Sequence, residues 1–277
     1  MPRETALAWI AQPNPSGKSN ADVLKRYIGS REVVRRSPER WLIDFNQMSQ
    51  AEAEEYLVPF AHVFEYVRPK REDNRREARK RNWWIHGESR PALRRALEPL
   101  ERYIATPRVT KHPIYVWLSK ADLPSGALSV IATDSDFDYG VLNSHVHILW
   151  SIKRGSYMGQ GDDPQYTNEV FESFPFPHAD NSHRAKVATW GKHLGEVRSQ
   201  LLSADHKRTL TTAYNDLSKL RNNRDTTNPV YPLLLAHDKL DAAVVAAYGW
   251  EWPMTDDEIL AALLAINLER GGATPKL

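Results

Sequence analysis

The feature that most constrains this 277-residue chain is a change of hydrophobic period near His178. Before it, short β-favouring runs alternate with helical stretches, and after it apolar residues recur at spacings of three and four almost to the end. Val187, Trp190, Leu194, Val197 and Leu201 form one such series, and Leu210, Tyr214, Leu217 and Leu220 a second. A third runs through Leu240, Val244 and Ala247 to Tyr248-Gly249-Trp250. The fourth is opened by a Thr255/Glu258 capping box and stopped by Gly271 and Gly272. The pattern predicts an α/β (α+β) domain with a mixed sheet over 1–178, followed by a helical bundle over 179–277.

Inside the first part, Met1 to Ser30 reads as irregular, because Pro13, Asn14, Pro15, Ser16 and Gly17 are turn formers. Trp41 to Phe45 predicts a strand. Ser49 with Glu52 predicts a capping box, opening a helix with Ala53, Tyr56, Leu57, Phe60 and Phe64 on one face. A second helix starts at Ser89 with Pro91 in its first turn. Arg102 to Thr106, Ile114 to Leu118 and Leu128 to Thr133 read as strands at the sheet's centre. Ser144 caps a helix carrying Val146, Leu149 and Trp150 that stops at Gly155, and Phe174-Pro175-Phe176-Pro177 reads as the exit from the domain.

Zero Cys excludes disulfides, thiolate metal sites and a cysteine nucleophile, and fits a reducing compartment. No apolar run has the length of a signal peptide or a membrane span, so the expected location is the cytoplasm, with no membrane partner. Net charge is only +2, so a polyanionic partner must be inferred from where charge sits. It sits between Arg68 and Arg81, where eight cations face three carboxylates and Trp83-Trp84 follow directly. Such a strip suits phosphate neutralisation. The alternative is a solvated helix face, since Glu72 with Arg76, and Asp73 with Glu77 and Arg81, have helical spacing.

Several segments imitate catalytic motifs and fail. Asn228-Pro229-Val230-Tyr231 differs by one residue from the Asn-Pro-Pro-Tyr loop of amino-methylating DNA enzymes, but the wholly polar Arg221 to Thr227 cannot be the buried strand that should precede it. Gly159-Gln160-Gly161 lacks a third glycine and a preceding strand. Asp134, Asp136 and Asp138 lack a calcium loop's glycine and terminal glutamate, and read as solvated turn carboxylates. His145 and His147 would point about 200° apart on a helix, and read as core or surface residues rather than co-ligands. No catalytic constellation emerges.

Taken in order, the stretches Trp41–Phe45, Asn74–Ala78 with Trp83-Trp84, Arg102–Arg108 with Lys111-His112, Phe171–Pro177, Leu240–Val244, Tyr248-Gly249-Trp250 and Leu268–Arg270 span nearly the whole chain. Together they resemble the C-terminal part of MmeI-type adenine-specific DNA methyltransferases and the fused restriction-modification enzymes built on them. The resemblance implies a target-recognition domain and a helical C-terminal domain, with double-stranded DNA as partner. It also implies that the S-adenosylmethionine site belongs to a separate or upstream methyltransferase core, so that no catalytic, cofactor-binding or metal-binding residue is expected in this chain.

On that footing Arg75, Arg76, Arg79, Lys80, Arg81, Arg108 and Lys111 are candidate DNA contacts. The segment from Arg154 to Thr167 occupies the place of a base-reading loop. There Arg154 suits guanine, Gln165 adenine, and Asp162 or Asp163 the cytosine amino group; the alternative is a Gly/Asp/Pro connector in which Asp162, Asp163 and Pro164 only make a turn. The competing expectations are an autonomous methyltransferase-like enzyme and an RNA-binding or scaffolding module that stacks bases on its Tyr and Trp residues.

Overall fold

The computed structural model describes residues 1–157 and 163–271. In chain order the first half holds α1 (Arg3–Ile10), β1 (Leu24–Ile28), α2 (Ser30–Val34), β2 (Arg40–Ile43), α3 (Gln50–Glu54), α4 (Leu57–Tyr66), α5 (Arg68–Glu72), α6 (Glu77–Arg81), α7 (Pro91–Leu97), β3 (Arg102–Pro107), β4 (Val116–Ser119), β5 (Asp122–Pro124) and β6 (Leu128–Ile131). Then come α8 (Asp136–Asn143), α9 (His145–Arg154), β7 (Ser156–Tyr157), β8 (Pro164–Gln165), α10 (Asn168–Glu172), α11 (Asn181–Ala204), α12 (Leu210–Asn223), α13 (Tyr231–Ala247) and α14 (Asp256–Glu269). Small mixed and antiparallel sheets followed by helices make this the α/β-then-helical fold expected. No helix among the described residues is long and apolar enough to cross a membrane.

The chain divides into two compact, interleaved units. The first comprises Met1–Ile28, Ser37–Glu101 and Ser119–Ser125. Its three strands run β2-β1-β5. β2 is antiparallel to β1 with Leu24 opposite Ile43, and β5 is parallel to β1 with Arg26 opposite Asp122. That late strand is fastened by charge: Arg26 donates through Nε and Nη2 to the two Asp122 oxygens at 2.7 Å each. The core gathers Val23, Phe45, Ala53, Tyr56, Val63 and Trp83. Beside it the buried Asp44 accepts from Arg94 Nη1 and Nη2 at 2.8 and 3.1 Å.

The second unit comprises Gly29–Arg36, Arg102–Leu118 and Gly126–Leu277, of which the described part ends at Gly271. Its strands run β4-β3-β6, with Ile104 opposite Ile131 in the antiparallel β3/β6 pair. One continuous core joins Ile104, Tyr115 and Phe174 to Leu194, Leu217, Leu240 and Leu263. Helices α8 and α11 approach closely: a Cβ at Gly191 would lie 3.0 Å from the Gly140 Cα, and one at Gly140 only 2.7 Å from Val187 Cγ1. Packing therefore does not divide at 178. The double Phe-Pro segment sits inside this core, with Phe174 fully buried.

Other expectations give way for identifiable reasons. The first thirty residues are ordered by α1, β1 and a polar knot in which Asn14 Nδ2 donates to Asn20 Oδ1 and Leu57 N to Asn14 Oδ1. The Ser49/Glu52 capping box forms, but the helix it opens ends at Glu54 and resumes at Leu57. Pro59 has no amide hydrogen to donate into a continuous helix, whereas in a new first turn none is needed. Leu57 and Phe64 are accordingly exposed. Arg90, in the left-handed region at φ 50°, and not Ser89 precedes α7. The three strands expected at the sheet's centre do pair with one another, as β4-β3-β6, whereas the Trp41–Phe45 strand joins a separate sheet, β2-β1-β5. The Asp134–Asp138 turn is mostly helix: Ser135 caps α8, and Asp136 and Asp138 sit in its first turn, where the helix dipole favours anions.

Candidate nucleic-acid interface

In the first unit the basic run folds as two five-residue helices. Pro69 starts α5, and after Asp73 an Asn74 side chain accepts from Arg76 N at 3.0 Å, turning the chain into α6. Of the helical charge pairs the spacing allows, the Arg68–Glu72 bridge forms at 3.1 Å. Arg68 also lies over the Phe64 and Trp83 rings at 4.8 and 5.7 Å, which makes it a packing residue. Arg79 approaches Glu88 at 4.0 Å. Arg75, Arg76, Lys80 and Arg81 are exposed and have no ion pair among the described residues. Four unneutralised cations within seven residues repel one another, and a bound polyanion would relieve that repulsion. Trp83 is buried in the core, which keeps its indole from stacking on a base, and Trp84 is partly buried, with Nε1 donating to Met48 O at 2.8 Å.

In the second unit, sequence-distant candidates come together at the end of β3. Arg108 is exposed, its N–H held by Ala127 O at 2.9 Å and its carbonyl accepting from Tyr166 N at 2.7 Å. The next residue, Val109, bridges to Gln165, which pairs with Ser156 in the short β7/β8 ladder. Arg108 and Gln165 thus share one edge despite their separation in sequence. Gly155 is required at the ladder's base, since a Cβ there would meet Ser151 O at 2.7 Å. Arg154 lies beside Trp150, 5.8 Å from its ring centroid, and 3.9 Å from Glu169, with half its side chain exposed. Asp163 is exposed. Asp162 and the Gly159-Gln160-Gly161 segment lie outside the described residues. Lys111 donates to Asn215 Oδ1 at 3.2 Å.

Thr167 has a different task. Its hydroxyl accepts from Val170 N at 3.4 Å as the N-cap of α10, so it fixes the end of the segment.

The residue that sequence reasoning missed is Tyr166. Its hydroxyl meets His147 Nε2 at 3.1 Å, its carbonyl accepts from Ser129 Oγ at 3.2 Å, and both rings are buried. His147 Nδ1 faces Leu142 O at 2.9 Å, so Nδ1–H donates there and Nε2 accepts from the tyrosine. Burial pushes the imidazole pKa down to about 3 and the phenol's upward, and both stay neutral. This pair bolts the Gln165 strand to α9. The available signal was an aromatic residue flanked by polar ones, Gln165 and Thr167. His145 lies nearer the surface, with Nε2 2.7 Å from Asp256 Oδ1.

No family model and no curated protein matches the chain. Among solved structures, that of the Type IIL restriction-modification enzyme MmeI in complex with DNA superposes with a TM-score of 0.69 at 17% identity, covering 98% of this chain and 34% of that one. The chain therefore spans about a third of MmeI's length. At that identity the likeness concerns the fold, which is that of part of a restriction-modification enzyme.

Proposed function

We propose that this chain is the DNA sequence-recognition part of an adenine-specific, S-adenosylmethionine-dependent DNA methyltransferase of a restriction-modification or phage-defence system in the cytoplasm. It positions duplex DNA for a methyltransferase core carried on a separate chain or an upstream segment, and that core holds the methyl donor. The observation that carries this reading is the fold likeness over 98% of the chain to an enzyme solved with DNA. Supporting it are the exposed cations Arg75, Arg76, Lys80 and Arg81, which have no ion pair among the described residues and suit phosphates, and the Arg108/Gln165 edge, whose side chains suit base edges.

Acceleration of methyl transfer needs groups that stabilise its transition state around an extruded base. On this reading those groups belong to the core. A radiolabelled methyl-transfer assay on mixed-sequence DNA is expected to show background incorporation with the chain alone and restored incorporation when a separate core is added. Incorporation by the chain alone would overturn the division of labour proposed here.

A further inference from the structure

The second unit carries a groove of about 700 Å³ that DNA recognition through the cations and the Arg108/Gln165 edge leaves unused. A volume of this order suits a small organic ligand. Its electrostatics are unusual at the floor. Arg198 is 4% exposed, yet its guanidinium meets only neutral oxygens: the hydroxyls of Tyr214 and Tyr139, the Tyr115 carbonyl at 3.0 Å and Asn143 Oδ1 at 2.8 Å. No carboxylate touches it among the described residues. A buried cation without a counter-ion retains an uncompensated charge even when every N–H is hydrogen-bonded, as here.

The walls add to that charge. Arg102 and Lys192 share one carboxylate, Asp136, at 2.8 and 3.0 Å. With Glu196 on the rim, three cations face two carboxylates around the groove. Lys192 is more than half exposed and has protons to spare. Trp117 is covered on one face by Arg102 at 3.9 Å and stacked on Tyr139 at 4.9 Å on the other, so it forms a rigid wall. Val116, Leu202 and Leu210 supply apolar surface.

Gly195 makes the space. It lies inside α11, where glycine costs about 1 kcal/mol relative to alanine. Packing does not demand it, for a Cβ would meet only the Tyr139 hydroxyl at 3.6 Å. Its absence of a side chain leaves the floor open above Tyr139 and Arg198.

We propose that this groove binds a small organic anion, one phosphate or carboxylate group on an apolar body. Lys192 and Arg102 hold the anionic group, Arg198 supplies a positive field from beneath, and the apolar residues take the body. The proposal is independent of the DNA-recognition reading.

The test follows the Gly195 amide and the Trp117 indole resonances of the full chain by NMR during titration with phenyl phosphate, benzoate, benzyl alcohol and inorganic phosphate. Saturable shifts are expected with phenyl phosphate, benzoate or both, and the two arms tell phosphate from carboxylate. Gly195→Leu, whose Cβ would meet only the Tyr139 hydroxyl at 3.6 Å and whose fold is checked by the dispersion of its amide resonances, is expected to abolish them, and Lys192→Gln to weaken binding several-fold. The proposal is overturned if neither aromatic anion gives a saturable shift, if benzyl alcohol or inorganic phosphate binds as well as they do, or if binding survives in Gly195→Leu.

Discussion

Two imidazoles are held neutral inside the second unit, and one carboxyl is pushed toward its protonated form. Burial lowers the pKa of His147 to about 3 and that of His237 well below its usual value, with Arg198 adding to the effect on His237. Burial likewise raises Asp241 to about 6, against the pull of the His145 N–H that it accepts at 2.7 Å. The signs are opposed. For each histidine the unfolded chain binds a proton below about pH 6.5 that the folded chain refuses, so stability falls as pH falls. For Asp241 the folded chain binds the proton first, so stability is present below about pH 4 and is lost as pH rises through 6. Two histidines outweigh one aspartic acid, so a net loss of stability is expected as pH falls from 6 to 4. Urea unfolding at several pH values measures it. Asp241→Asn, which keeps the acceptor for His145 N, is expected to steepen the loss, and an unchanged slope would mean that Asp241 is ionised in the fold. None of this was legible in the sequence, where His147, His237 and Arg198 look like ordinary polar members of amphipathic helices.

Among elements, three helix starts were legible and the short pieces were not. Ser49/Glu52, Ser144 and Thr255/Glu258 cap where their spacing places them, because a cap is a local hydrogen bond that needs no tertiary partner. The register of β1 with β5 is set by a contact between residues about a hundred positions apart, and no local pattern announces it. The basic run was visible as charge, whereas the packing of Arg68 on Phe64 and Trp83, the approach of Arg79 to Glu88 and the exposure of Arg75, Arg76, Lys80 and Arg81 without an ion pair among the described residues depend on the fold. Exchanging Arg75, Arg76, Lys80 and Arg81 together for Gln is therefore expected to weaken duplex binding about uniformly across sequences, and to flatten the salt slope by roughly 0.9 for each phosphate no longer neutralised. Affinity measured at several salt concentrations decides it, and an unchanged slope would return the run to a solvated surface. The β8 segment calls for a contrast within three residues. Gln165→Ala is expected to lose roughly 1 to 3 kcal/mol of preference at one base position with little change in nonspecific affinity. Thr167→Ala instead removes a cap, lowering stability by about 1 kcal/mol with no change of preference in a randomised DNA pool.

At the scale of the whole chain, the change of period near His178 marks where helices take over, and it coincides with no gap in packing. Residues Arg102–Leu118 and Gly126–His178 supply the sheet and the α8–α10 side of a core whose other side is α11, α12, α13 and α14. The Phe-Pro segment is clasped from beyond it: Tyr248 donates to Pro175 O at 2.9 Å, Asn267 to Ser173 O at 2.7 Å and Arg270 to Phe176 O at 2.9 Å. The Phe174 ring lies 4.6 Å from that of His147, edge to face, where an exit from a domain would be solvated. A chain ending at His178 would keep every residue of the first unit and expose the apolar faces of Ile104, Leu142 and Phe174. Each such side chain forfeits about 1.5 to 3 kcal/mol when it returns to water, and a domain's whole margin is only about 5 to 15 kcal/mol. The 1–178 fragment is therefore expected to give dispersed amide resonances for residues of the first unit and collapsed, broadened ones for Arg102–Leu118 and Gly126–His178. Nonspecific duplex binding through Arg75, Arg76, Lys80 and Arg81 should survive in it, while discrimination through Arg108 and Gln165, whose shared edge needs the intact core beneath Tyr166, should disappear. A fragment that unfolded in one cooperative step with native dispersion throughout would show that the helices after 178 are dispensable to the sheet and that role and folding divide at the same place.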